Sequence, residues 1–113
     1  MSYEALWGRY FALTVAIELL VAIPLLREAG SLPRRLTAVL VANLTSHPIV
    51  WFVIARVITE RSVMIPVAEG WAIASEAVVY TLVFPALTRT RALGISGVAN
   101  AASFLVGLVL TRL

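Results

Sequence analysis

The sequence predicts an all-α fold: a single domain of four membrane-spanning helices packed up and down. Three observations carry this. First, 61% of the 113 residues are hydrophobic and only 13% are charged, with a mean hydropathy of +0.97. Soluble domains are about half apolar and a quarter charged, and so short a chain has too little interior to bury the excess. Second, the apolar residues fall into four runs of similar length, separated by short turns that hold most of the charges. Third, ionisable and amide side chains interrupt each run at helical spacing, as expected of an interior face in a lipid-embedded bundle.

The expected helices cover about residues 6–26, 36–58, 66–86 and 95–111, each close to the roughly 20 residues that cross a hydrocarbon core of about 30 Å. The first run is too long for the core of a signal peptide. Glu18 interrupts it, and no A-x-A-like site follows before Arg27, so it reads as a mature helix. Tyr3, Trp7, Tyr10 and Phe11 suggest an aromatic belt at its start, and Pro24 lies near its end, where a kink costs little. In the turn R-E-A-G-S-L-P-R-R, Gly30 is expected to terminate the first helix, Ser31 to cap the second, and Pro33 to sit in the second helix's first turn. So short a turn makes the first two helices antiparallel neighbours.

The second run contains N-L-T-S-H-P-I-V-W-F at residues 43–52, with the chain's one histidine. Pro48 lacks an N–H and is expected to break the helix by freeing the Leu44 carbonyl. Pro66 is expected to open the third helix. The segment around Arg89 and Arg91 leads into the fourth. No long linker or soluble domain separates the runs, and the halves share a hairpin plan without a visible sequence repeat.

All nine basic residues are arginine and all six acidic ones glutamate, with no cysteine. Disulfides, thiolate metal sites and redox thiols are thereby excluded. A net charge of +3 and a pI near 10.2 do not indicate nucleic acid, because the arginines form no basic face or block. They suit orientation in a membrane and attraction to anionic headgroups. This composition suggests the plasma (inner) membrane of a bacterium. Arg27, Arg34, Arg35, Arg89 and Arg91 lie on the side of the first and third turns, against Arg9, Arg56, Arg61 and Arg112 on the other. The bias narrowly favours both termini outside the cytoplasm, and so small a margin also permits dual insertion and an antiparallel homodimer.

The candidate site is a polar column. Asn43, His47 and Trp51 are spaced four apart, as are Glu76 and Tyr80, with Glu69 seven residues before Glu76. Ser96, Asn100, Ser103 and Gly107 make one small and polar face, while the first helix offers Thr14 and Glu18. Glu18, His47 and Glu76 fall near the middles of their spans. Asn43 and Asn100 share a level, and Glu69 lies about 10 Å from Glu76 toward the opposite surface. Charges at mid-bilayer face an interior and must be paired or neutralised. Glu beside His is the natural pairing, and such a cluster suits proton exchange.

Two resemblances bear on this. The small size, four spans, Glu18 in the first helix and weak charge bias are similar to the small multidrug resistance transporters; N-L-T-S-H-P, Glu69 and Glu76 are not part of that family's pattern. N-x-x-[ST]-x-P at Asn43, Ser46 and Pro48, then Glu76 before Tyr80, then N-x-x-S-x-x-x-G at Asn100, Ser103 and Gly107 resembles uncharacterised small four-span bacterial membrane proteins, with which no known activity comes.

The expected function is binding or transport of a small solute, coupled to a proton or cation through Glu18, Asn43, His47, Glu69, Glu76, Tyr80 and Asn100. The alternative is a structural or assembly subunit of a larger membrane complex, held by interhelical hydrogen bonds. Its partners would be the bilayer and either a second copy of the chain, as a homo-oligomer, or other membrane subunits. A third reading is a metal-site enzyme, with a divalent ion on Glu18, His47 and Glu76. The balance is against an enzyme: no H-E-x-x-H or E-x-x-H spacing is present. Ser46 has His47 only as its sequence neighbour, and adjacent helix residues do not face each other.

Overall fold

The computed structural model describes residues 1–111. Among them the fold is all-helical, with four helices long and apolar enough to span a membrane: α1 (Tyr3–Leu25), α2 (Leu32–Val57), α3 (Arg61–Val83) and α4 (Arg89–Thr111). Each packs against its sequence neighbours, and α4 closes the ring against α1. The bundle is 39 Å long and 24 by 21 Å across.

The helices begin three to six residues before the expected starts, because hydropathy marks the apolar run while polar caps extend the helical backbone beyond it. Ser2 Oγ accepts from the Ala5 N–H, Ser31 Oγ from Arg34 N–H and Thr88 Oγ1 from Arg91 N–H, each satisfying a donor left free in a first turn. Pro66 does not open α3. The Glu60 carbonyl already accepts from Val63 and Met64, so the helix starts at Arg61 and carries Pro66 inside.

Gly30 does not terminate α1 through a left-handed conformation; among the described residues no glycine has positive φ. The helix ends at Leu25, and a tight turn follows through Leu26, whose carbonyl accepts from Ala29 N–H. Arg35 covers this end by donating Nη1 to the Ile23 carbonyl and Nε to that of Gly30, a favourable place for a cation. Gly30 instead makes room for Phe84: a Cβ there would lie 2.8 Å from the ring's Cε1.

Pro48 does not break α2. The helix passes through it and widens into a π-helical turn over Val50–Ile54, a common response to a lost backbone hydrogen bond. From α3, Trp71 Nε1 donates to the Ser46 carbonyl at 3.2 Å.

The core is unevenly distributed. Ala22, Leu26, Ala38, Val39, Tyr80, Phe84, Leu87 and Ala92 close the end bearing the first and third turns. Alanines at the contacts let the backbones approach closely. Large apolar side chains such as Leu20 and Leu82 point outward, 77% and 76% exposed.

Candidate functional site

Midway along the bundle, Glu18 of α1 and Glu76 of α3 face each other across the axis. Both are buried, at 0% and 1% exposed, and their carboxyl groups are neighbours in the bundle interior. Each receives one amide and one hydroxyl. Asn43 Nδ2 donates to Glu18 Oε1 at 3.4 Å and Ser103 Oγ to Glu18 Oε2 at 3.3 Å. Asn100 Nδ2 donates to Glu76 Oε1 at 3.2 Å and Ser46 Oγ to Glu76 Oε2 at 2.7 Å. The amides are fixed by their own helices: Asn43 also donates to the Val39 carbonyl and Asn100 to that of Ser96, both at 2.9 Å. Comparison with protein-family models, with curated proteins and with solved structures gave no match.

The pattern has approximate two-fold symmetry. Both α2 and α4 carry A-N-x-x-S, at residues 42–46 and 99–103, and both α1 and α3 supply one glutamate. The interval from Glu18 to Glu76 is within one residue of that from Asn43 to Asn100 and from Ser46 to Ser103. Each glutamate takes its amide from the helix that follows it and its hydroxyl from the other hairpin. α1 and α3 run the same way, so the axis relating the halves lies along the bundle. This corrects the reading that no repeat joins the halves. Outside the site the two segments share little beyond their caps, so sequence comparison alone has scant signal.

His47 is not in the carboxyl layer. Its Nδ1 accepts from Trp7 Nε1 at 2.9 Å, its ring stacks on Trp51 with centroids 6.1 Å apart, and Phe11 meets it edge-on at 5.4 Å. Accepting at Nδ1 puts the proton of the neutral ring on Nε2. Ser46 occupies the place expected for His47, because one residue turns a helix by about 100°. With His47 turned away, the metal arrangement on Glu18, His47 and Glu76 does not form. Among the described residues no three His, Asp or Glu side chains group as metal ligands.

Tyr3, Trp7, Tyr10 and Phe11 stand at the start of α1, with Tyr3 38% exposed. They pack on α2: Tyr3 Oη donates to the Trp51 carbonyl at 2.6 Å, and the Tyr10 and Trp51 rings lie 5.7 Å apart. Aromatic pairs of this kind add attraction beyond the area they bury.

A cavity of about 410 Å³ opens at the end that carries Tyr3 and Thr111 and descends to Glu76, Ser46, Asn100 and Ser103. Thr14, His47, Trp51, Glu69 and Gly107 line it. Glu69 thus stands in the cavity wall, half-buried, above the carboxyl pair. Tyr80 lies below the pair in the apolar plug, 0% exposed. Its hydroxyl and the Asn43 Oδ1 have no hydrogen-bond partner among the described residues. Of the face read as close packing, Ser96 donates to the Ile73 carbonyl, Ser103 serves Glu18, and Gly107 borders the cavity. Ser46 and Ser103 are the site residues that sequence reasoning undervalued. The repeated A-N-x-x-S was the available signal.

Proposed function

We propose that the chain is a multi-pass protein of the bacterial plasma membrane that binds or translocates a proton or small cation at the Glu18–Glu76 pair, coupled to a small solute in the cavity above. One observation carries this reading: two carboxyl groups from separate halves neighbour each other inside an apolar bundle, and one of them, Glu76, lines a cavity that is plugged on the opposite side. Two facing carboxylates without a cation repel strongly at low dielectric. A proton held between them, or a cation taken from the cavity, removes the repulsion. Sites of this kind lie near the bilayer midplane, and repeats related by an axis along the membrane normal are one established transporter plan. The apolar outward faces and helix lengths support residence in lipid.

On the arginine distribution, the open end and both termini face away from the cytoplasm. The chain lacks cysteine, so single cysteines introduced at Ser2 and Glu28 would report orientation by labelling from each side.

The test is proton flux in sealed liposomes containing a pH-sensitive dye. Flux that depends on Glu18 and Glu76, and vanishes in E18Q and E76Q proteins that still fold, supports the reading. A second reading, a structural or assembly subunit, is favoured by the saturated donors. All four of Asn43, Ser46, Asn100 and Ser103 are spent on the pair, as interhelical glue requires. Absence of flux, with copurifying membrane partners, would select it.

A further inference from the structure

We infer that the outer groove between α3 and α4 holds one anionic phospholipid, an acyl chain lying along Ala74, Ala77 and Val78 and the headgroup phosphate on Arg89. A second cavity, of about 270 Å³, lies in this seam, away from the carboxyl pair. Its α3 wall is Ala74, Ala77, Val78 and Thr81, three and four apart and so on one face. Its α4 wall is Arg89 and Leu93, four apart. Gly97 continues that spacing, and a Cβ there would meet nothing within 4 Å. Small side chains on one helix thus face a widely spaced row on the other, which leaves an apolar channel open to lipid.

Length and charge select the occupant. From Thr81, beside the third turn, to Ala74 is seven residues, about 10 Å of helical rise. The groove therefore ends near the middle of α3, within one leaflet of a hydrocarbon core about 30 Å thick. A partner helix crossing the membrane would need the whole length, whereas an acyl chain needs one leaflet. The charged end is at the turn, where headgroups lie. Neighbouring arginines are engaged: Arg34 lies over the Phe84 ring at 5.7 Å, and Arg35 donates to the Ile23 and Gly30 carbonyls. Arg89 is exposed and has no side-chain hydrogen bond, ion pair or ring contact among the described residues. A guanidinium can take a phosphate through two parallel hydrogen bonds. This side of the bundle carries five arginines against one glutamate, Glu28, so a headgroup of net negative charge fits better than a zwitterionic one. Basic pockets between membrane helices bind anionic headgroups in this way.

The experiment is native mass spectrometry of the full chain, released from detergent micelles containing equal amounts of phosphatidylglycerol and phosphatidylcholine with identical acyl chains. The expected result is one retained lipid per chain, with phosphatidylglycerol preferred. R89Q should weaken its retention about tenfold or more, the size of one lost charged hydrogen bond. R91Q removes the same charge from the same helical turn, but Arg91 does not line the groove, so this variant should retain the lipid far better. A74F fills the groove without changing charge and should also lose the lipid. Ala74 is exposed, and melting curves check that all three variants fold. Equal retention of the two lipids would overturn the anionic class. Equal losses in R89Q and R91Q would mean diffuse surface attraction and overturn the site. Retention unchanged in A74F would remove the acyl chain from the groove and overturn it as well.

Discussion

Glu76→Ala and Glu76→Gln should separate sharply in stability. In Glu76→Ala, the Ser46 hydroxyl at 2.7 Å and the Asn100 amide at 3.2 Å lose their acceptor. Hydrogen bonds between membrane helices average about 0.6 kcal/mol and reach about 1.7. The short serine bond belongs near the top of that range, so the two together contribute about 2 kcal/mol. Truncating a side chain that is 1% exposed leaves a void costing about 1–2 kcal/mol more. The sum is about 3–4 kcal/mol. Gln keeps the volume and one acceptor oxygen, and its amide can donate to Glu18, so its cost should stay below about 1 kcal/mol. Glu18→Ala should cost less than Glu76→Ala, because its donors stand at 3.4 and 3.3 Å. The assay is reversible unfolding in mixed micelles with increasing dodecyl sulfate, read by circular dichroism. If Gln at position 76 costs as much as Ala, the fold needs the ionised carboxylate and the shared-proton account fails. If Glu18→Ala is the more costly of the two alanine variants, bond length is not what sets the ranking.

The neutral His47 ring should carry its proton on Nε2, which nitrogen-15 shifts of histidine-labelled protein would show; Trp7→Phe should release that preference and cost about 1 kcal/mol, and an Nδ1-protonated ring in the native protein would contradict the Trp7 bond. Gly30→Ala should lower stability by about 1–3 kcal/mol through contact with the buried Phe84 ring, with partial rescue by Phe84→Leu; a neutral effect would mean the ring yields freely. Gly107 borders the cavity, and a Cβ there meets nothing within 4 Å, so Gly107→Leu should fold normally while cutting solute binding about tenfold or more by filling the space; unchanged binding would place the solute elsewhere. Chelators and added zinc should leave the melting temperature unchanged, and a zinc-induced rise that is lost in His47→Ala would reinstate a metal site.

The amino-acid order determined the four helices and the interior character of their polar residues. Apolar runs of spanning length, Ser31 and Pro33 at a helix start, and spacings of three, four and seven follow from the helical repeat, which is local. The levels of Glu18, Glu76, Asn43 and Asn100 were legible for the same reason: helix rise and short turns fix depth. Only the tertiary structure decided rotation and partnership. A periodic pattern says which residues share a face, and not which neighbouring helix that face meets. On α2 both Ser46 and His47 fit an inward stripe. The packing of α1 drew His47 to Trp7 and turned Ser46 onto Glu76. Pro48 could break α2 or be absorbed, and contacts around Trp51 and Trp71 accompany a widened turn in place of a break. The symmetry of the carboxyl pair stayed hidden because it lies in contacts between halves, where six residues match and the surrounding chain is free to differ.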